Sequence, residues 1–96
     1  MWIAAGKVIL DYFNNESEKK KRNLVDKLVK DVRRQFNASI LEVADFDELE
    51  KCVLGVGLVA ATEKTARSSM KKVLDYIDSH SEARVVTEDT DVFGYD

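Results

Sequence analysis

Proline is absent from this 96-residue chain, so no rigid Pro-rich linker divides it. Its length is that of one domain, residues 1–96, with a small hydrophobic core. Cysteine occurs once, at Cys52, so no disulfide can form within the chain, which suits a reducing cytoplasm. Histidine also occurs once, at His80, and the neighbouring sequence offers no partners for a metal or base role. No apolar run approaches the ~20 residues of a membrane-spanning helix, and no basic region precedes the short apolar run of Met1 to Ile9, as a signal peptide would require. No membrane partner is expected. A basic excess is lacking too: 15 Lys and Arg against 18 Asp and Glu give −3. That balance argues against nucleic-acid binding by overall charge and leaves open binding by a local patch.

Such a patch is present. Ser17 to Phe36 holds eight Lys and Arg and three Asp and Glu, a balance of +5 in a chain whose other 76 residues carry −8. Leu24, Leu28 and Val32 repeat every four residues, with Val25, Val29 and Phe36 in the adjoining row. This spacing predicts one amphipathic helix. Its apolar stripe needs a sheet to cover, and its basic side must face water or an anionic partner. Ser17 alone, or Asn15 with Glu18, can cap its start. Asn37 is expected as a left-handed cap at its end.

The remaining elements follow from alternation and turn chemistry. Trp2 to Tyr12 reads as a strand with a continuous non-charged face through Ala4, Gly6, Val8 and Leu10. Ser39 to Ala44 reads as a second strand, with Leu41 and Val43 on one face. Asp45 to Glu50 is an acidic turn. Lys51 to Ala61 is apolar on both faces, as a central strand should be. Thr62 caps a second helix whose core row is Ala66, Met70, Val73, Leu74 and Ile77. Arg84 to Val92 is polar enough for an edge strand, and Gly94 to Asp96 is expected to fray. The order β-α-β-β-α-β predicts an α+β, ferredoxin-like sandwich. Its four-stranded antiparallel sheet has the strand order 4-1-3-2, with both helices on one face. The opposite face would carry Ile3, Ile9, Ile40, Val53, Val59 and Val85, too apolar a set to leave in water.

With the elements placed, the chain resembles the YlxP-like family of small bacterial proteins of unknown function. That family opens its first helix on Ser-Leu-Lys-x-Lys-Arg, which stands here as Ser17, Glu18, Lys19, Lys20, Lys21 and Arg22. Gln35-Phe36-Asn37, Glu42-Val43 and Val53-Leu54-Gly55 match further family stretches in the same order. Glu18 replaces the usual Leu, and Leu49 stands about where the family often has Trp. The resemblance implies a ferredoxin-like fold. Family genes often lie among translation and ribosome-maturation genes, which implies an RNA-linked role.

Lys19, Lys21, Arg22, Lys30 and Arg33 are therefore the candidate RNA or phosphate contacts. Cations in a first helical turn oppose the helix dipole, a mild local penalty that a phosphate partner would relieve. The plainer reading is a solvated helix face with Lys21 laid along the apolar stripe. Cys52 shares a face with Leu54 and Val56 and reads as a core residue, not a reactive thiol. Asp45, Asp47, Glu48 and Glu50 lack calcium-loop spacing and read as a solvated turn. Gly55 and Gly57 do not make a phosphate loop, because no Gly-Lys-Ser/Thr follows. Trp2, Phe36 and Phe46 read as packing residues. No nucleophile-base cluster, metal-ligand set or cofactor motif is visible.

Two expectations of different kinds follow. One is a non-enzymatic cytoplasmic accessory factor that touches RNA or ribosomes through the first helix. The other is a homo-oligomeric interaction or small-ligand-sensing domain that uses the sheet face. In either case a homodimer is expected on Ile3, Ile9, Val53, Gly55, Gly57 and Val59, the plainer alternative being a monomer in which Lys7, Lys51 and Glu42 border that patch and keep it solvated. A small enzyme is the least supported reading.

Overall fold

Period-two burial along the first strand sets the architecture. In a computed structural model that describes all 96 residues, β1 (Trp2–Asp11) turns Ala4, Gly6, Val8 and Leu10 inward. Two helices cover that face: α1 (Glu18–Gln35) and α2 (Glu63–His80). The sheet is completed by β2 (Ser39–Ala44), β3 (Lys51–Ala60) and β4 (Arg84–Gly94), in the order β2-β3-β1-β4, all antiparallel. This is the ferredoxin-like arrangement that the element order predicts.

The core lies between the helices and the inner sheet face. Leu28 and Val32 of α1, and Met70, Val73 and Ile77 of α2, meet Val8, Leu10, Leu54 and Val56. Gly6 is required where Met70 crosses β1, since a Cβ there would lie 2.8 Å from the Met70 sulfur. Ser17 caps α1 by accepting from the Lys20 amide, and Thr62 caps α2 by accepting from the Thr65 amide. The end of α1 differs from expectation. Phe36 closes it in an extended conformation, and Asn37 is not left-handed. Positive φ occurs instead at Asn14, Asp45 and Glu82, each at 57°.

A bulge in β4 and the alternation of β2 correct the expected faces. β4 shifts register between Ile9 and Leu10, so Val85 pairs with Leu10 and packs toward the helices, while Val86 is exposed. β2 shifts between Glu42 and Ala44. Ile40, opposite Val56, is fully buried against the helices and is absent from the outer face. Glu42 likewise faces the helices, so it does not border the outer patch. The C-terminus is paired further than expected. β4 runs to Gly94, and Tyr95 and Met1 exchange backbone hydrogen bonds at 2.8 and 2.9 Å.

Candidate functional site

The basic residues of α1 divide into an outward set and one inward residue. Lys19, Lys20, Arg22, Lys27, Lys30, Arg33 and Arg34 are exposed. Several are held within the helix by acids one turn away. Arg22 pairs with Glu18 at 2.9 Å, and Lys27 pairs with Asp31 at 3.0 Å. The hydrogen bond to Asp31 holds the Lys27 ammonium above its usual pKa. Arg33 donates to the Ile40 carbonyl at 2.9 Å, which ties the end of α1 to β2. Lys19, Lys20 and Lys30 make no ion pair. Lys19 and Lys30 share the side of α1 facing away from the core, about 16 Å apart along the axis.

Lys21 is the inward residue, and it leaves the candidate contact set. It occupies the same buried stripe as Val25, Leu28 and Val32 and is 4% exposed. Its ammonium donates to the carbonyl of Asp45 at 3.0 Å and to those of Phe46 and Glu48. It also pairs with Glu42 at 3.3 Å. One lysine thus gathers three carbonyls of the acidic turn that joins β2 to β3. The turn stays non-helical, with the Glu48 amide bonded to the Asp45 carbonyl at 3.1 Å.

Beside this pair lies Cys52, fully buried. Desolvation first, and then the Glu42 carboxylate, push its thiol up to about 12, so it stays protonated and inert at neutral pH. Tyr12 is also buried, and its hydroxyl has no hydrogen-bond partner. Burial pushes its pKa well above 10.0, with a smaller contribution from Cys52. His80 ends α2 with its ring stacked on Tyr76 at 4.0 Å and a ring nitrogen 2.9 Å from the Tyr76 carbonyl. Trp2 and Phe36 do pack against the core, but Phe46 is 62% exposed.

The outer sheet face brings the six expected interface residues together. Ile3 pairs with Val59, Ala5 with Gly57, Lys7 with Gly55, and Ile9 with Val53. Their states differ, however. Val59 is 63% exposed, whereas Val53 is only 4% exposed within the single chain. Gly55 is not an open floor either, because the Val43 side chain lies 2.9 Å from where a Cβ would stand. Only Gly57 has free space above it. Leu41, Val43, Val86 and Phe93 add exposed apolar surface that the expected set omitted.

The sequence profile of DUF503, described as a protein of unknown function, matches residues 3–90. The chain belongs to the DUF503 family. No curated protein matches it. Among solved structures, a de novo designed ferredoxin-fold protein, LFR1 1, superposes with a TM-score of 0.51 at 20% identity, covering 97% of this chain and 83% of that one. Rv0793 from Mycobacterium tuberculosis superposes with a TM-score of 0.50 at 15% identity, covering 99% of this chain and 95% of that one. At such identities the likeness is one of fold alone.

One feature of this DUF503 member has no local signature in the sequence. Asp11, Tyr12, Phe13, Asn15, Lys20, Leu24, Glu82, Ala83 and Arg84 line a cavity of about 350 Å³. It forms where the end of β1, the first turn of α1 and the turn before β4 converge. Phe13 is 60% exposed at this cavity, and the Arg84 guanidinium sits 5.5 Å from its ring centroid. The residues lie in three separate stretches, so no local spacing announces them. The available signal was an aromatic residue placed in an otherwise polar Asn-Asn turn.

Proposed function

We propose that this DUF503 chain is a non-enzymatic cytoplasmic accessory protein that contacts RNA or the ribosome through the outer side of α1. The observation that carries this reading is charge segregation. Seven of the eight cations between Ser17 and Phe36 are exposed, on a chain that is otherwise acidic. Such a stripe meets phosphates spaced along a backbone and needs no base contacts. Lys19, Arg22, Lys30 and Arg33 supply the contacts, and Lys21 supports the turn beneath them. The YlxP-like resemblance, with its link to translation genes, supports the same reading. The test is co-sedimentation with ribosomes and binding to short RNA across a salt series. Wild type binds, and affinity falls steeply with salt. Lys19→Glu, Arg22→Glu and Lys30→Glu together abolish binding while the melting temperature holds. Wild type that never co-sediments, even at low salt, would refute the proposal.

A second reading rests on the outer sheet face, which we assign to a second copy of the chain. β1 and β3 are ten residues long, β2 six and β4 eleven, 37 residues over the four strands. At ~3.3 Å per residue and ~4.8 Å between strands, the face covers roughly 600 Å². Two such faces bury about 1,200 Å², the lower bound of stable interfaces. A two-fold axis lets one patch serve both partners. Val59→Asp is the proper probe, because Val53 is already buried in the monomer. Light scattering should give a dimer for wild type and a monomer for the variant. A wild type that stays monomeric at high concentration would overturn this assignment.

A further inference from the structure

We infer that the cavity between Phe13, Lys20 and Arg84 receives one unstacked nucleotide of single-stranded RNA, preferring a base that carries amino-group donors. This inference rests on the RNA reading above and adds a base-recognition site to it. The starting point is an aromatic ring with no packing role. Phe13 is largely exposed, yet it carries the Arg84 guanidinium over its face. A phenyl ring and a guanidinium plane are the two surfaces on which proteins stack splayed-out bases.

The charges around that platform are unspent. Lys20 and Arg84 line the cavity, and neither makes an ion pair. Both are available for a phosphate. Lys20 lies in the first turn of α1, where the helix dipole also favours an anion. Asp11 and Glu82 line the same cavity and make no ion pair either. Carboxylates only accept hydrogen bonds when ionised, so they suit a base edge rich in N–H donors. Guanine offers an imino and an amino N–H side by side, whereas uracil offers a single N–H between two carbonyls that a carboxylate repels.

The cavity's rigidity fits selection of a base. Asn15 is fixed by donating to the carbonyls of Leu49 at 2.7 Å and Ser17 at 3.0 Å. Tyr12 is buried at the wall, its hydroxyl unpartnered. The volume of about 350 Å³ lies at the small end of ligand sites. The cavity also adjoins the first turn of α1, so a strand tracking Lys19 and Lys30 passes its mouth.

The test titrates isotope-labelled protein with guanosine monophosphate, uridine monophosphate, short oligo-uridine RNA, and the same RNA with one central guanosine. Amide shifts should cluster at residues 11–15 and 82–84, and guanosine in the strand should tighten binding roughly ten-fold. Phe13→Ala and Arg84→Gln should each erase that preference, and Arg84→Gln, which also removes a phosphate contact, should lower the oligo-uridine affinity and flatten its salt dependence. Equal affinity for the two RNAs, or an intact preference in both variants, would overturn the inference and leave the basic-helix reading standing. Binding of the mononucleotide with no RNA binding at all would refute the RNA source assigned here.

Discussion

Replacing Lys21 by Met separates a structural lysine from a functional one. Methionine keeps the length and apolar stem of the side chain and removes the ammonium. The wild-type ammonium serves three turn carbonyls and the Glu42 carboxylate, with its own side chain 5% exposed and that of Glu42 22% exposed. Breaking a buried ion pair by removing one partner costs about 3–5 kcal/mol. Glu42 retains some contact with water, and the turn carbonyls lie in an exposed segment, so the lower end applies. The expected loss is about 3 kcal/mol, a large share of the ~5–15 kcal/mol total of a small domain. That corresponds to a fall in melting temperature of roughly 15 °C. Urea unfolding followed by circular dichroism measures it, with Lys19→Met as the exposed control, expected to stay within about 0.5 kcal/mol. Adding Glu42→Gln to Lys21→Met should restore part of the loss, because no unpaired carboxylate then remains. A loss below about 1 kcal/mol, or no recovery in the double variant, would refute the buried-pair reasoning.

The other predictions concern the core and its two buried acids. Leu28→Ala and Leu54→Ala should each lower stability by about 2–5 kcal/mol, since both side chains lie in the buried cluster; denaturant melts unchanged for either would contradict the packing. Cys52 should resist thiol reagents in the native state and react only on unfolding, which a labelling time course in rising urea measures. Its folded-state pKa is raised, so the folded chain keeps a proton that the unfolded chain loses, and stability should fall as pH rises from about 9 toward 12; a flat profile over that range would count against the burial assigned to it. Tyr12→Phe removes a buried hydroxyl without a partner and should be neutral or stabilising by about 1 kcal/mol, read by the same melts.

Most of the architecture was legible because one residue type per position carried it. Alternation in β1, the apolar run of β3 and the four-residue repeat of α1 each match a single period, and the Ser17 and Thr62 caps sit where such residues stop competing with the helix. The misplaced faces have two causes. A strand's period is two, so one extra residue sends every later side chain to the opposite face. Val86 does this in β4 and sends Val85 inward, whereas Ile40 and Glu42 precede the β2 bulge at Val43 and face inward by simple alternation with Leu41. Nothing in the composition of β4 marks Val86 as the inserted residue, because Val85 beside it is the same residue type. The frayed C-terminus failed for a different reason. Pairing of Tyr95 with Met1 is a contact between chain ends, which no local pattern encodes.

Lys21 shows where charge misleads and where spacing would have corrected it. A run of four cations from Lys19 to Arg22 invites a single interpretation. Yet a helix turns by 100° per residue, so consecutive side chains cannot share a face. Lys21 stands four residues before Val25, seven before Leu28 and eleven before Val32, in register with the buried stripe. The position therefore demanded either an apolar residue or a lysine with somewhere buried to deliver its charge. The β2–β3 turn provides that destination, with three of its carbonyls turned toward the ammonium and Glu42 beside them. The consequence reaches the proposed function. The cluster reduces to Lys19, Lys20 and Arg22 facing outward, with Lys21 fixing the acidic turn against the helix that bears them. A charge-reversal experiment that includes Lys21 would unfold the turn and imitate a loss of binding, so only the outward cations can test the interface.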